Sequence, residues 1–235
     1  MKYSVVTIAK NEAAGIAECI ASAVGASEVI VVVDSASSDE TTGIATKLGA
    51  AVFHRKLDGF AFQKNFGIDQ AHNNWILVLD ADERLTPELA EEITKLDPPP
   101  GVSGYQMAFR NYVGDKWLRH GGLYPDYHIR LFNRTKARYG ARQVHEQLEY
   151  KGKIETLRGD VVHLTYRDFR EYNQKVGYYA RLEAQSDNQR PTRMFIAKTF
   201  YRKFARDRGY RDGLAGLMSA LLLTRYQMIK RKAMS

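Results

Sequence analysis

Apolar positions in the first hundred residues alternate between short continuous runs and helical spacing. Residues 3–9 form a β-branched run, Val29-Ile30-Val31-Val32-Val33 is apolar throughout, Ala51-Val52-Phe53 follows Gly49, and Trp75-Ile76-Leu77-Val78-Leu79 is apolar again. Continuous apolar runs of this length predict strands covered on both faces, as in parallel sheets. Between them, in a stretch opened by Asn11-Glu12, Ile16, Cys19, Ile20 and Ala23 recur at helical spacing. A short helix through Lys47 and a longer one from about Phe60 to Ala71 follow in the same way. Thr86-Pro87-Glu88 supplies a capping hydroxyl and a first-turn proline for another helix. Strand and helix in alternation predict an α/β fold with a doubly wound sheet.

The rhythm changes after Asp97-Pro98-Pro99-Pro100-Gly101. Residues 102–163 read as strands and loops rich in Tyr, Gly and Arg, and from Arg167 onward the pattern turns helical. There Leu214, Leu217, Met218, Leu221, Leu222 and Met228 form an apolar stripe flanked by Arg225, Lys230, Arg231 and Lys232. The longest uncharged run, Gly213 to Thr224, has twelve residues, well short of the roughly 20 that span a bilayer. The stripe therefore predicts either an interfacial helix on a membrane surface or a helix packed on the rest of the protein or a partner subunit.

Composition adds exclusions. Hydrophobic content of 44% and charged content of 26% are those of a globular chain. Cys19 is the single cysteine, so no internal disulfide forms, and the start of the chain reads as a strand instead of a signal peptide; a cytoplasmic location is the expectation. The net charge of +8 is confined to the end of the chain. From Arg193 onward eleven Lys or Arg face Asp207 and Asp212, a local +9 that leaves −1 for residues 1–192. No nucleic-acid partner is expected, and a nucleic-acid-binding module is the weaker reading.

In an open α/β sheet, ligands bind at the carboxyl ends of the strands. Two of the predicted strands end in aspartate: Asp34 and Asp80. Asp80 and Asp82 occupy alternate positions of an extended segment, where two hard oxygen donors suit Mg²⁺ or Mn²⁺; a helix cap or solvated loop is the other reading of an Asp-x-Asp. Asp34 can accept a hydrogen bond from a base N–H, and Asp39 either reaches the same base or caps the next helix. Gln63-Lys64-Asn65 lies near a helix start, where open backbone N–H groups and the dipole favour an anion and Lys64 adds a charge; a solvated helix face is the alternative. His163, after Val161-Val162, is either a third metal ligand or a hydrogen-bonded strand-end histidine.

Four motifs stand in order: Thr7-Ile8-Ala9-Lys10-Asn11-Glu12, Val33-Asp34-Ser35-Ala36-Ser37-Ser38-Asp39, Gln63-Lys64-Asn65 and Leu79-Asp80-Ala81-Asp82-Glu83. The succession resembles the family 2 inverting glycosyltransferases of GT-A fold, and especially the bacterial β-glucosyltransferase-like branch of lipopolysaccharide core synthesis. The match is close over residues 3 to about 83 and looser through Val144-His145-Glu146 to the tail. It implies a Rossmann-like mixed sheet flanked by helices, with a helical basic C-terminal segment. The expected organisation is a catalytic domain over 1–165, with 1–97 binding the nucleotide sugar and 98–165 shaping the acceptor site, followed by the amphipathic segment 166–235. The resemblance implies a nucleotide-sugar site formed by Thr7, Ala9, Glu12, Asp34, Asp39, Lys64, Asp80 and Ala81, with a divalent cation at Asp80 and Asp82 beside the diphosphate. Ala36 stands where glycine is frequent and Lys64 where arginine is frequent; lysine keeps the charge but lacks the planar fork.

The implied reaction moves a hexose, glucose by resemblance, from a UDP-sugar to a lipopolysaccharide core or other lipid-linked glycan, at the inner face of the cytoplasmic membrane. A polyprenyl phosphate or a protein is the alternative acceptor. Inverting transfer needs a base for the acceptor hydroxyl. Relatives carry Glu-Asp where this chain has His145-Glu146, which makes Glu146 the candidate, a partner for Arg142 being its other reading. Asp126, after Gly121-Gly122-Leu123-Tyr124-Pro125, is the second candidate or a turn cap. Trp117, Tyr124 and Tyr127 either stack on sugars or pack internally, and Arg130 and Arg134 either meet phosphates or pair with carboxylates.

Overall fold

The computed structural model describes residues 1–140, 147–186 and 189–234. In chain order the first half contains β1 (Ser4–Ala9), α1 (Ile16–Ser22), β2 (Glu28–Asp34), α2 (Thr41–Lys47), β3 (Ala51–Arg55), α3 (Phe60–Gln70), β4 (Trp75–Val78), β5 (Glu83–Leu85) and α4 (Pro87–Thr94). The second half adds β6 (Val102–Val113), β7 (Lys116–Trp117), β8 (Asp126–Asn133), β9 (Ala137–Tyr139), β10 (Leu148–Tyr150), β11 (Lys153–Tyr166), α5 (Phe169–Ser186), α6 (Arg193–Tyr201) and α7 (Gly213–Ala233). The chain forms two compact units, one of residues 1–109 with 127–162 and the other of 110–126 with 163–235.

The first unit is built on a sheet of order β3-β2-β1-β4-β8-β6-β11-β5. β3, β2, β1 and β4 run parallel, and β8 joins β4 antiparallel, pairing Trp75 with Asn133 and Leu77 with Leu131. The sheet is thus mixed and α/β, as the resemblance implies.

Why the strands are apolar throughout is visible in β4. Ile76 and Val78 point to one face, packing with Val6, Ile30, Val32 and Ile68 of α3. Leu77 and Leu79 point to the other, among Leu85, Leu89 and Ile93 of α4. Successive side chains of a strand face opposite sides, so a strand between two helical layers has no polar face. β2 does the same, with Val31 and Val33 turned to Ile16 and Ile20 of α1. Each buried aliphatic side chain contributes roughly 1.5–3 kcal/mol. α3 approaches the sheet closely at Gly67, where a Cβ would lie 2.6 Å from Val6 and 3.0 Å from Val32. Thr86 caps α4, its hydroxyl accepting from the Leu89 N–H at 3.3 Å, with Pro87 in the first turn as expected.

Two details differ from the pattern. α1 begins at Ile16 and not near Asn11, because Asn11 takes a positive φ of 55° and Glu12 to Gly15 make a turn first. The side-chain amide of asparagine tolerates that conformation better than most residues. β5 is a three-residue strand in a segment whose charge hides it from periodicity.

The second unit packs Val113 and Leu118 against Tyr172 and Val176 of α5 and Leu222 of α7. Residues 110–126 therefore group by packing with the C-terminal helices, which makes this unit discontinuous along the chain where the sequence suggests a single boundary near residue 165. A π-helical turn at Arg202–Arg206 and a 3-10 turn at Gly209–Asp212 separate α6 from α7. Glu183 on α5 accepts hydrogen bonds from Tyr226 and, at 2.8 Å, from Lys230 of α7. Among the described residues no helix is long and apolar enough to cross a membrane.

Candidate active site

At the carboxyl end of β2, Asp34 is buried and its Oδ2 lies 2.8 Å from the Lys10 ammonium. Its Oδ1 accepts from the backbone N–H groups of Ala36 and Leu57, both at 3.2 Å. Lys10 and these amides hold the carboxyl below the usual range. Asp39 is fastened too: Oδ1 accepts from the Thr41 N–H at the start of α2 and Oδ2 from the Ala13 N–H. Asn11 accepts from the Ser38 N–H at 2.8 Å, and its own N–H donates to Ser37. The loops after β1 and β2 thereby form one hydrogen-bonded platform, which includes the Glu12 N–H on the Thr41 hydroxyl.

The Thr7 side chain is fully buried, its hydroxyl 3.9 Å from the Cys19 sulfur. Ala9 and Ala81 are buried in the cluster of Ile16 and Val33, so their methyl groups support the platform from beneath.

The Gln63-Lys64-Asn65 motif is corrected by the structure in one respect. α3 begins at Phe60, and the Gln63 N–H already donates to the Gly59 carbonyl at 3.0 Å. These residues therefore do not offer the open N–H groups of a helix start. Nor do they make a solvated face, since Gln63 and Lys64 are buried. Each side chain reaches a different element: Gln63 accepts from the Arg55 guanidinium and donates to its carbonyl, and Asn65 exchanges hydrogen bonds with the backbone of Tyr139 on β9. Lys64, between them, lies 3.2 Å from Asp80 Oδ1 and over the Tyr139 ring.

Asp80 is met from its other side by Arg130 of β8, 3.1 Å from Oδ2. Arg130 also bonds Glu83, whose second oxygen accepts the Asp80 N–H at 3.0 Å, and its guanidinium lies 5.2 Å from the centre of the Phe109 ring. Burial alone would lower the Arg130 pKa, but Glu83 and Asp80 outweigh it and raise it, so the guanidinium is always charged. Asp80 is thus a carboxylate with a cation at each oxygen. The neighbouring cleft, about 570 Å³, is lined by Lys64, Asp80, Arg130, His128, Tyr127 and Tyr139, with Gln106, Ile129, Gln147, Leu148 and Tyr150 completing it. Arg134 takes neither expected role; it donates to the Ile68 and Ala71 carbonyls at the end of α3.

In the second unit Asn111 connects two expected site residues. Its Nδ2 donates to Asp126 at 3.2 Å, and its Oδ1 faces His163 Nδ1 at 2.9 Å. The amide oxygen there accepts a hydrogen bond from the ring when Nδ1 carries a proton. Trp117 packs edge-on to Tyr124, with Arg110 and Arg119 over its ring, while Tyr127 is half exposed in the cleft of the first unit. Glu146 and its alternative partner Arg142 lie outside the described residues. Sequence reasoning missed Glu83 and Asn111. Glu83's adjacency to Asp80-Ala81-Asp82 was a signal; Asn111 carries none.

The sequence pattern of the family described as Glycosyl transferase family 2 matches residues 4–149. The chain belongs to that family. This glycosyltransferase is 30% identical over 200 residues to an uncharacterized glycosyltransferase of Rickettsia typhi, covering 78% of this chain and 67% of the relative. It is 29% identical over 236 residues to the lipopolysaccharide core biosynthesis glycosyltransferase LpsC of Rhizobium meliloti, covering 94% of this chain and 87% of LpsC. Among solved structures it resembles S. aureus TarS 1–349 in complex with UDP, with a TM-score of 0.50 and 14% identity over all of this chain and 90% of that one, a likeness of fold.

Proposed function

We propose that this glycosyltransferase moves a hexose, glucose by resemblance, from a UDP-sugar to a lipopolysaccharide core or other lipid-linked glycan, with inversion, at the inner face of the cytoplasmic membrane. The observation that carries the donor half is Asp80 at the wall of the cleft, with Lys64 and Arg130 on its two oxygens and Asp82 next in the loop. Clustered cations beside carboxylates are what a diphosphate bridged to a divalent metal requires. Asp80 and Asp82 are hard oxygen donors suited to Mg²⁺ or Mn²⁺, and the Asp80 side chain keeps 28% of its surface exposed for a ligand. When bound, such a cation would neutralise the negative charge that gathers on the diphosphate as the sugar bond breaks.

The nucleoside is assigned to the platform of Asp34, Asp39 and Glu12, and the choice of UDP is supported by TarS, which was solved in complex with UDP. The acceptor is supported by the match to LpsC. Glu146 takes the proton from the acceptor hydroxyl as its oxygen attacks the anomeric carbon; it directly precedes Gln147 and Leu148 of the cleft wall. Asp126 is the second candidate.

Thermal unfolding with a panel of nucleotides tests the donor. UDP with Mn²⁺ is expected to stabilise by about 2.7 kcal/mol at one hundred times its Kd, with UDP alone weaker. Stabilisation by a purine nucleotide instead, or indifference to the metal, overturns the donor assignment. Glu146→Gln is expected to lower transfer about 10²–10⁴-fold while UDP stabilisation persists; undiminished transfer removes Glu146 from the role.

A further inference from the structure

α7 does not pack with its leucine stripe. Its buried residues are Gly216, Ser219, Ala220, Leu222, Thr224 and Lys230, a mostly small-residue face. At Gly216 a Cβ would lie 1.8 Å from the Gly209 carbonyl oxygen, so the helix sits there backbone to backbone. Three large apolar residues turn the other way. Leu214 is 74% exposed, Leu221 47% and Met228 54%. They recur every seven residues, which on a helix is one nearly straight line drifting by about 20° per step. Arg225 and Lys232, four residues beyond Leu221 and Met228, extend the same face. Of the stripe read from the sequence, only Leu222 is buried.

α6 adds to this. Met194 and Tyr201 are each 66% exposed and sit seven residues apart, with exposed Lys198 between them and Phe195 beside them. Tyr210, in the turn before α7, is also exposed. Leaving several large apolar side chains in water on adjoining elements has a cost that burial would relieve.

We propose that the outward face of α7, with the outward side chains of α6, docks on an anionic lipid bilayer. The inference deepens the lipid-linked acceptor reading above and rests on it for its biological sense. Its occupant is chosen by charge. Residues 193–235 carry a net +9; Lys203 and Lys230 are turned inward, near Asp207 and against Glu183, whereas Arg193, Lys198, Arg208, Arg211, Arg225 and Lys232 are exposed. Each Lys or Arg near an anionic surface adds to the attraction. A second copy of this chain meeting the same face would bring like charges together, because a two-fold contact pairs a patch with itself. A bilayer with anionic headgroups takes both components, the apolar row among acyl chains and the cations at the phosphates.

The test uses the full chain and vesicles of phosphatidylcholine with or without phosphatidylglycerol, read by co-sedimentation. The protein is expected to pellet with the anionic vesicles and to stay in solution with phosphatidylcholine alone. A triple variant, Leu214→Ser, Leu221→Ser and Met228→Ser, should weaken binding roughly tenfold or more. Its unfolding temperature and its UDP-induced stabilisation should stay as in the parent, since all three residues face outward. Arg225→Glu with Lys232→Glu should weaken binding further and reduce its salt dependence. Vesicle binding equal to the parent's in the triple variant overturns the proposal, as does a parent that ignores anionic vesicles. A concentration-dependent dimer in gel filtration that the triple variant abolishes assigns the face to a second copy and likewise overturns it. Failure of UDP stabilisation with vesicle binding intact would strike the donor reading and leave this surface standing.

Discussion

Asp82→Ala is expected to lower UDP-sugar turnover about 10²–10³-fold at saturating donor and metal, the loss that follows removal of one group stabilising charge in a transition state. Asp82 is a cleaner probe of the metal than Asp80. Asp80 is enclosed by Lys64 and Arg130, and its backbone N–H is bound by Glu83, so truncating it would release two cations and disturb the fold along with the chemistry. The same variant should bind Mn²⁺ more weakly in the absence of turnover, read by the free-Mn²⁺ signal in electron paramagnetic resonance. Asp82→Asn, which keeps an oxygen donor but no charge, should fall between the two. Turnover within twofold of the parent, with unchanged Mn²⁺ affinity, would remove Asp82 from the metal site.

Much of the first unit could be read from the chain because its cause is local. A strand covered on both faces must be apolar at every position, and Val29–Val33 and Trp75–Leu79 announce that without reference to anything distant. Thr86-Pro87 marks its helix start by the same kind of local chemistry. What escaped depends on partners far along the chain. Arg130 meets Asp80 across fifty residues, and nothing in the Arg130 neighbourhood distinguishes it from Arg134, which caps α3 instead. The sequence places Lys64 near the start of a helix from about Phe60, and the helix does begin there, yet at Gln63 the backbone N–H is already bonded within it and burial, not the dipole, defines the setting of Lys64. The apolar stripe of α7 was legible, but not that small residues would share the packing and leave Leu214, Leu221 and Met228 outside.

The second large effect concerns stability. Arg130→Met keeps an apolar side chain against Phe109 but removes the cation bonded to Glu83 Oε1, on a residue with no exposed surface. Breaking a buried ion pair by removing one partner typically costs about 3–5 kcal/mol, whereas replacing both partners by groups of similar shape is often close to neutral. Arg130→Met alone should therefore unfold at markedly lower denaturant concentration, and adding Glu83→Gln should recover a large part of the loss. The sign of the pH dependence separates this from simple misfit. Glu83 raises the Arg130 pKa, and because the attraction is mutual the guanidinium favours the ionised carboxylate; without it the folded variant takes up a proton more readily than the folded parent and gains stability relative to the parent as pH falls through the carboxylate range. The deficit of Arg130→Met relative to the parent should shrink toward pH 5 and be largest at neutral pH, while the double variant, in which only Asp80 has lost a cation, should show a smaller slope. A deficit independent of pH would mean that Arg130 acts by packing. Because Glu83 also holds the Asp80 N–H, the pH-dependent outcome carries a functional corollary: the ion pair that stabilises β5 against β8 also sets the position of the first carboxylate of the donor site.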